Sequence, residues 1–243
     1  MFALLKNAFQ AKDIRNRIFF TLGMLIVFRL GTHITVPGVD AGAIANLAST
    51  GLFSMLDTFG GGALSQYSIF AMGVSPYITS SIVVQLLQMD IVPKFVEWSK
   101  QGEVGRRKLN QVTRYLTVIL AFVQSVGLSL GFNQLSAFGL VNDPGTTTYM
   151  IIALVMTAGS MLVVFIGESI SMHGIGNGTS LIIFSGIIAR IPSDLYTYYN
   201  DRFVDAGSDL MNNILFSVAL LIAILLVVIL VVYVQQAERK IPI

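Results

Sequence analysis

Polar and charged positions along this chain bunch into short stretches that separate long apolar ones. Six apolar segments stand out, roughly Ile18–Val36, Ser68–Met89, Val112–Gly131, Tyr149–Gly167, Thr179–Tyr196 and Asn212–Val234. A helix needs about 20 apolar residues to cross the hydrocarbon of a bilayer. The sixth segment, ILFSVALLIAILLVVILVVYV, meets that length without a break. The fifth is the weakest, because its apolar part stops near Ile191–Pro192. The pattern predicts an all-α membrane protein with six transmembrane helices. Residues 1–17 lead into the first span, 18–196 carry five spans, 197–211 form a loop, 212–234 the sixth span, and 235–243 begin the next loop.

The stretch TFGGGALSQYSIFAMGVSPYITSSIVVQLLQ, Thr58 to Gln88, departs from a plain span. In lipid every backbone N–H and C=O must be satisfied within the protein, so a broken helix is tolerated only where protein or water covers the break. An apolar piece at about Leu52–Leu64 is too short and glycine-rich to cross alone. Gly60, Gly61 and Gly62 break any helix begun there, and Gly73 and Pro76 interrupt again. Two readings fit: a short half-helix followed by a membrane-crossing one, or an external loop that leads into the second span with Pro76 near its first turn.

Composition agrees with a membrane location. Hydrophobic residues make up 54% of the 243-residue chain and charged ones 12%, against ~25% charged in soluble domains. The placement of charge adds orientation. Lys6, Lys12, Arg15 and Arg17 precede the first span, Lys94, Lys100, Arg106, Arg107, Lys108 and Arg114 lie between the second and third, and Arg239 and Lys240 follow the sixth. These are twelve of the fifteen basic residues. The alternate segments carry Asp40, Asp57, Asp143, Asp194, Asp201, Asp205 and Asp209 against Arg190 and Arg202. The positive-inside rule therefore predicts both ends of this sequence in the cytoplasm. The first residues lack a small-residue cleavage site after their apolar run, so the first span is expected to be retained. The last residues, ERKIPI, fall inside a basic loop, which reads as a fragment or truncated product of a longer protein.

The chemistry-bearing residues exclude more than they assign. There is no cysteine, hence no disulfide framework, thiolate metal site or cysteine nucleophile. The run GESISMHGIGNGTS does not fit GxGxxG, follows no predicted strand and has no P-loop lysine. It reads as a tight cytoplasmic turn in which glycine supplies positive φ. His33 and His173 are predicted on opposite sides, so His33 reads as a structural residue, and no cofactor is expected. Arg29 is placed to snorkel toward the outer interface, and Glu168 reads as a solvated helix end. Thr79, Ser80, Ser81, Gln85, Gln88, Gln124, Ser125, Thr179 and Ser180 are polar positions inside spans. Such residues face a bundle interior or a wet path. The stretch VPKFVEWSKQGEVGRRKLNQVTR is a basic loop suited to acidic lipid, RNA or an acidic protein surface. No paired-carboxylate or Ser–His–Asp arrangement occurs within the spans, so the chain is not read as an enzyme.

Four segments in order carry a resemblance: FRLGTHITVPG, FGGGALSQYSIFAMGVSPYITSSIVVQLL, GEVGRRKLNQVTRY and HGIGNGTSLIIFSGI. Together they resemble the SecY family, the central subunits of bacterial protein-conducting channels, and the likeness runs from LLKNAF to ERKIPI. The resemblance implies ten spans in two pseudo-symmetric halves, of which this chain holds one half and the sixth span. It implies a short re-entrant plug helix near 55–66, with Met55, Phe59, Gly60, Gly61, Gly62 and Leu64. It places Val74, Ile78, Thr179 and Ile183 on an apolar pore ring, where Thr179 departs from a common isoleucine. Ile82 falls just inside the ring, on one helical face with 74 and 78. Thr79 and Gln124 match a polar cluster at a lateral gate.

The implied activity is passage of unfolded secretory proteins across, and of membrane proteins laterally into, the bacterial cytoplasmic membrane. The implied partners are SecE, SecG, the ATPase SecA, the ribosome, a translocating polypeptide with its signal sequence, and membrane phospholipid. Arg106, Arg107, Lys108, Arg239 and Lys240 would face the cytoplasmic partners. Two alternatives remain at this point: a broken-helix solute transporter, and a fragment inactive without its second half.

Overall fold

The computed structural model describes residues 11–39, 57, 60–89, 91–135, 141, 145–204 and 210–236. Among them the regular structure is helical, with no strand beyond two isolated bridges, Thr35 to Ser68 and Val39 to Val141. The helices are α1 (Lys12–Gly31), α2 (Ser75–Leu87), α3 (Pro93–Lys100), α4 (Glu103–Leu135), α5 (Thr146–His173), α6 (Gly178–Tyr199) and α7 (Leu210–Gln236), with a π-helical turn at Asn200–Val204. The chain divides into two units, Met1–Arg190 and Ile191–Ile243. Among the described residues three helices, α4, α5 and α7, are long and apolar enough to cross a membrane.

Several boundaries differ from the hydropathy reading. The first helix ends at Gly31, and Val36 leaves it to donate its N–H to the Tyr67 carbonyl (3.0 Å). The second span begins at Ser75 rather than Ser68, because Gly73, at φ +53°, turns the chain and Pro76 sits in the first helical turn. The basic stretch is not a loop. It folds as α3, a glycine turn at Gly102 (φ +67°), and the first turns of α4, a helix of 33 residues and about 50 Å. The fifth span, α6, continues through Pro192 to Tyr199, so the expected 197–211 loop is in part helical. The expected plug helix falls mainly on residues outside the described set, and its described end, from Gly60 to Gln66, is a run of turns.

In the first unit α5 is the central helix. Ile152, Met156, Val163, Ile166 and Ile170 recur at helical spacing and are buried. They join two apolar clusters. One gathers Val36, Leu64, Tyr67, Met72, Phe132, Ile152 and Met156. The other gathers Phe28, Ala63, Phe70, Val74, Val163, Ile170 and Ile182. The seam of α4 is built from small residues one turn apart, Thr113, Thr117, Ala121, Ser125 and Ser129, all buried. Small side chains let helix backbones approach closely where lipid supplies no hydrophobic drive between them. Ser125 reaches the Ala153 carbonyl on α5 (3.3 Å), and Ser129 accepts the hydroxyl of fully buried Tyr67 (2.8 Å). Thr113 and Thr117 return their hydroxyls to the carbonyl four residues earlier.

In the second unit, Asn213 on α7 bonds the Arg202 guanidinium and carbonyl (3.1 and 3.0 Å), and Ser217 pairs with Tyr198 (2.8 Å). The apolar side chains of α7 are otherwise exposed, as expected of a helix whose solvent is lipid or further protein.

Close helix approach gives a direct test of the packing. A Cβ at Gly159 would collide with the Ile69 carbonyl, whereas one at Gly127 meets open space. Gly159→Ala is expected to destabilise the chain by about 1–3 kcal/mol. Gly127→Ala should leave it unchanged or stabilise it by up to about 1 kcal/mol. Thermal unfolding of the purified variants in detergent measures both.

Candidate functional site

Of the described residues in the break between α1 and α2, those from Gly60 to Val74 are buried or half-buried apart from Gln66, whereas His33–Thr35 and Pro37–Gly38 are exposed. Gly61 and Gly62 adopt φ +67° and +87°, conformations that side-chain-bearing residues rarely take. Gly61 also lies so close to α6 that an added Cβ would stand 2.8 Å from the Gly186 Cα. The Gly62 N–H donates to the Asp57 carbonyl (3.1 Å), and the Leu64 and Ser65 N–H groups both donate to Asp57 Oδ1 (2.9 Å each). Asp57 is 1% exposed, and its Oδ2 pairs with the Arg190 guanidinium of α6. From α1, Arg29 donates to the Gly61 carbonyl (2.5 Å). Arg29 is thus turned onto the glycine turn. His33 is structural, as expected, with Nδ1 3.1 Å from Gln66 Oε1.

Two open clefts lie on either side of one pair of side chains. The first, about 530 Å³, is lined by Tyr77, Ile78, Ser81, Ile82, Gln85, Asn110, Arg114, Glu168, Asn177, Thr179, Ser180 and Ile183 among others. The second, about 590 Å³, is lined by Gly60, Leu64, Ala71, Met72, Gly73, Val74, Ser75, Ile78, Thr79, Gln124, Leu128 and Ile183. Ile78 and Ile183 belong to both, one from α2 and one from α6. They mark a junction with a polar cleft on one side and a more apolar one, floored by the glycine turn, on the other.

The residues singled out in the sequence distribute around this junction. Ile82 and Thr179 line the first cleft only, and Val74 the second. Val74 caps α2, and its carbonyl accepts the Ile78 N–H (3.0 Å), so the helical spacing of 74, 78 and 82 holds. Their exposure differs: Val74 is 7% exposed and packs under Phe28 and Phe70, whereas Ile78 is 36% and Ile82 51% exposed. Thr79 and Gln124 share the second cleft with Gly60 and Leu64, and Thr79 donates its hydroxyl to the Ser75 carbonyl (3.1 Å). Met55, Phe59, Arg239 and Lys240 lie outside the described residues.

Glu168 is not a solvated helix end. α5 runs on to His173, and Glu168 accepts two bonds from Arg114 of α4, Nε to Oε1 at 3.0 Å and Nη2 to Oε2 at 2.6 Å. This paired fork ties α4 to α5 in the wall of the first cleft. Beyond it, the GIGNG turn docks on α1: the Ile175 N–H donates to Thr21 Oγ1 (3.1 Å), and Gly176 takes φ +70°. Asn177 caps α6 through the Ser180 N–H (3.3 Å).

The basic hairpin of α3 and α4 is organised around Trp98. Lys94 and Lys108 each set their ammonium over its ring, at 5.8 and 5.7 Å. Gly105 lies against the Trp98 carbonyl, where a Cβ would collide. Arg106, Arg107 and Lys108 are exposed on the first turns of α4, and Arg107 pairs with Glu103 (3.0 Å). Among the described residues no cluster of metal-ligating side chains occurs.

The sequence reading missed the Asp57–Arg190 and Arg114–Glu168 pairs. Its one available signal was the presence of Arg190 and Glu168 in apolar surroundings, where an ionised side chain requires a partner.

A family model described as SecY matches residues 68–243. Curated relatives match over the whole chain: Protein translocase subunit SecY 1 of Lactobacillus kefiranofaciens subsp. kefiranofaciens is 58% identical over 244 residues, covering 57% of that protein. Protein translocase subunit SecY of Bacillus subtilis (strain 168) is 54% identical over 243 residues, covering 56%. The chain therefore spans about half the length of these relatives. Among solved structures, "The structure of a protein conducting channel" aligns with TM-score 0.60 at 18% identity, over 94% of this chain and 49% of that one. "Sec61 in the Canine ribosome-channel complex from the endoplasmic reticulum" aligns with TM-score 0.59 at 18% identity, over the same shares. At that identity the likeness is one of fold.

The glycine turn offers a test independent of any relative. Gly61→Ala meets both a strained φ and the α6 backbone, whereas Gly62→Ala meets the strained φ alone. Each is expected to lower stability, Gly62→Ala by about 1–2 kcal/mol, and Gly61→Ala by more. Equal effects on the thermal midpoint would count against the close contact with Gly186.

Proposed function

The chain belongs to the SecY family, and on that premise we propose that it forms the first half and sixth span of the pore subunit of a protein-conducting channel. The observation that carries this reading is the pair of clefts that meet at Ile78 and Ile183. An apolar constriction between two wet spaces disfavours a continuous water column and hydrated ions. It also contacts a passing chain without directional bonds, so it tolerates any side chain. In this reading Val74, Ile78, Thr179 and Ile183 form the ring with Ile82 just inside it, and Gly60–Leu64, together with Met55 and Phe59, belong to the plug. Six spans cross the membrane of a bacterial cell, with both ends of this sequence on the cytoplasmic side.

The substrates are unfolded secretory proteins, and membrane proteins whose signal sequences leave through a lateral gate that includes Thr79 and Gln124. Thr79 is exposed and Gln124 half-buried in this chain; once the rest of the channel buries them, such a polar cluster makes closure metastable, since its hydrogen bonds must be given up on opening. SecE, SecG, SecA and the ribosome supply the clamp, the peripheral subunit, the motor and the nascent chain. The exposed Arg106, Arg107 and Lys108, with Arg239 and Lys240, face the side where the motor and ribosome dock. The chain acts as a channel subunit rather than an enzyme, and the transporter alternative is not favoured.

The absence of cysteine permits a clean test. In the full-length channel, a single cysteine replaces Ile78 and a secretory protein with one cysteine is stalled in transit. A disulfide that depends on a working signal sequence is expected. No crosslink at Ile78, Ile82 or Ile183 despite active export would sink the ring assignment. Ile78→Asp is expected to raise ion leak in vesicles. Making Thr79 and Gln124 apolar should shift the signal hydrophobicity needed for insertion, and an unchanged threshold would remove them from the gate.

A further inference from the structure

The contacts of the glycine turn amount to a fastening with an identifiable weakest link. α6 presents Gly186 and Arg190 four residues apart, hence on one face. Gly186 receives Gly61, and Arg190 pairs with the buried carboxylate of Asp57. The two oxygens of that carboxylate divide the work. Oδ1 accepts the Leu64 and Ser65 N–H groups and shapes the turn from within, while Oδ2 reaches Arg190 and joins the turn to α6. On the other side Arg29 holds the Gly61 carbonyl. The turn lines the second cleft through Gly60 and Leu64, so its departure would open that cleft on the turn's side.

We propose that Asp57 and Arg190 are a latch that keeps the glycine turn seated on α6 and so sets how often the resting channel opens. This rests on reading the turn as part of the plug. The physical basis is asymmetric. A buried ion pair gains little over an apolar pair, but removal of one partner strands a charge at high cost. Lifting the turn would separate the Asp57 carboxylate, buried while the turn is seated, from the part-buried Arg190 guanidinium, and the loss of that pairing opposes the motion. The latch leaves the internal shape of the turn to Oδ1, so it governs where the turn sits rather than whether it folds.

The test uses the full-length chain, assembled with its channel partners in vesicles of phosphatidylethanolamine and phosphatidylglycerol, with no polypeptide substrate. Resting chloride permeability is read for Asp57→Asn, Arg190→Met and the double variant. Asparagine keeps an oxygen for the Leu64 and Ser65 amides and loses the charge. Each single variant is expected to raise permeability about tenfold or more. The double variant should leak less than the product of the two singles, because both singles remove the same pairing. Parental permeability in the singles, or a purely multiplicative double, would overturn the latch.

Should a single variant fail to assemble, Arg190→Lys keeps the charge and loses the planar fork. A Leu64→Cys label in the otherwise cysteine-free chain then reports release, since Leu64 is buried. Faster alkylation in Arg190→Lys supports the latch, and an equal rate overturns it. Ile78→Asp separates the two readings. If it leaks while the Asp57 and Arg190 variants stay sealed, the latch alone fails. If it too stays sealed and Ile78 captures no polypeptide, the channel reading fails.

Discussion

A backbone N–H or C=O left without a partner at membrane depth costs several kcal/mol. That constraint governs the segment from Gly60 to Val74, which has no helix to satisfy it. The solution is distributed. Asp57 takes three N–H groups, two on its carboxylate and one on its carbonyl. The extended residues after α1 trade bonds with the same segment, Val36 to the Tyr67 carbonyl and Ile69 to the Ile34 carbonyl. Tyr67, held at φ +44°, sends its hydroxyl to Ser129 on α4. Arg29 closes the Gly61 carbonyl from α1. The non-helical stretch is therefore a structural hub, touched by α1, α4 and α6, rather than a loop.

The same hub explains the shape of the site. Gly61 against Gly186 lets the turn approach α6 more closely than any side chain would allow. That approach brings Ile183, one turn earlier on α6, to the same junction as Ile78 of α2. The walls on the two sides then differ in kind. One side holds the Arg114–Glu168 fork with asparagines and serines, which wet surface tolerates. The other is lined by Leu64, Met72, Val74 and Leu128. Ile78 and Ile183 thus stand where a polar lining meets a more apolar one.

Burial within the chain follows the expected partners of a membrane helix. α5 is buried because α4, α6 and the non-helical segment surround it, through the small residues at every fourth position of α4, Gly159 against Ile69 and Gly167 against Thr179 and Ile182 of α6. α7, by contrast, is apolar on all sides and buries nothing beyond its polar start. An all-round apolar helix belongs in lipid or among further helices.

How much of this was legible in the sequence depends on the range of the interaction. Hydropathy located α4, α5 and α7 because burial in lipid acts on each segment separately. The glycines at 60–62 and 73 announced the break, since only that residue takes positive φ freely. The four motifs brought Val74, Ile78, Thr179 and Ile183 forward together, and their side chains do line the paired clefts. What the sequence could not decide was pairing. Asp57 stands 133 residues from Arg190, and Arg114 stands 54 from Glu168. Apolar surroundings signal that Arg190 and Glu168 need partners, but nothing local says which residues those are. Helix ends were misjudged for a related reason: hydropathy marks where lipid stops, whereas hydrogen bonding carried α4 a further two turns into its basic residues. The sequence by itself determined a helical membrane chain with one covered break, because those follow from solvent and backbone chemistry residue by residue. Only the tertiary structure decided which charges hold the break closed, because that depends on which helices the folded chain brings together.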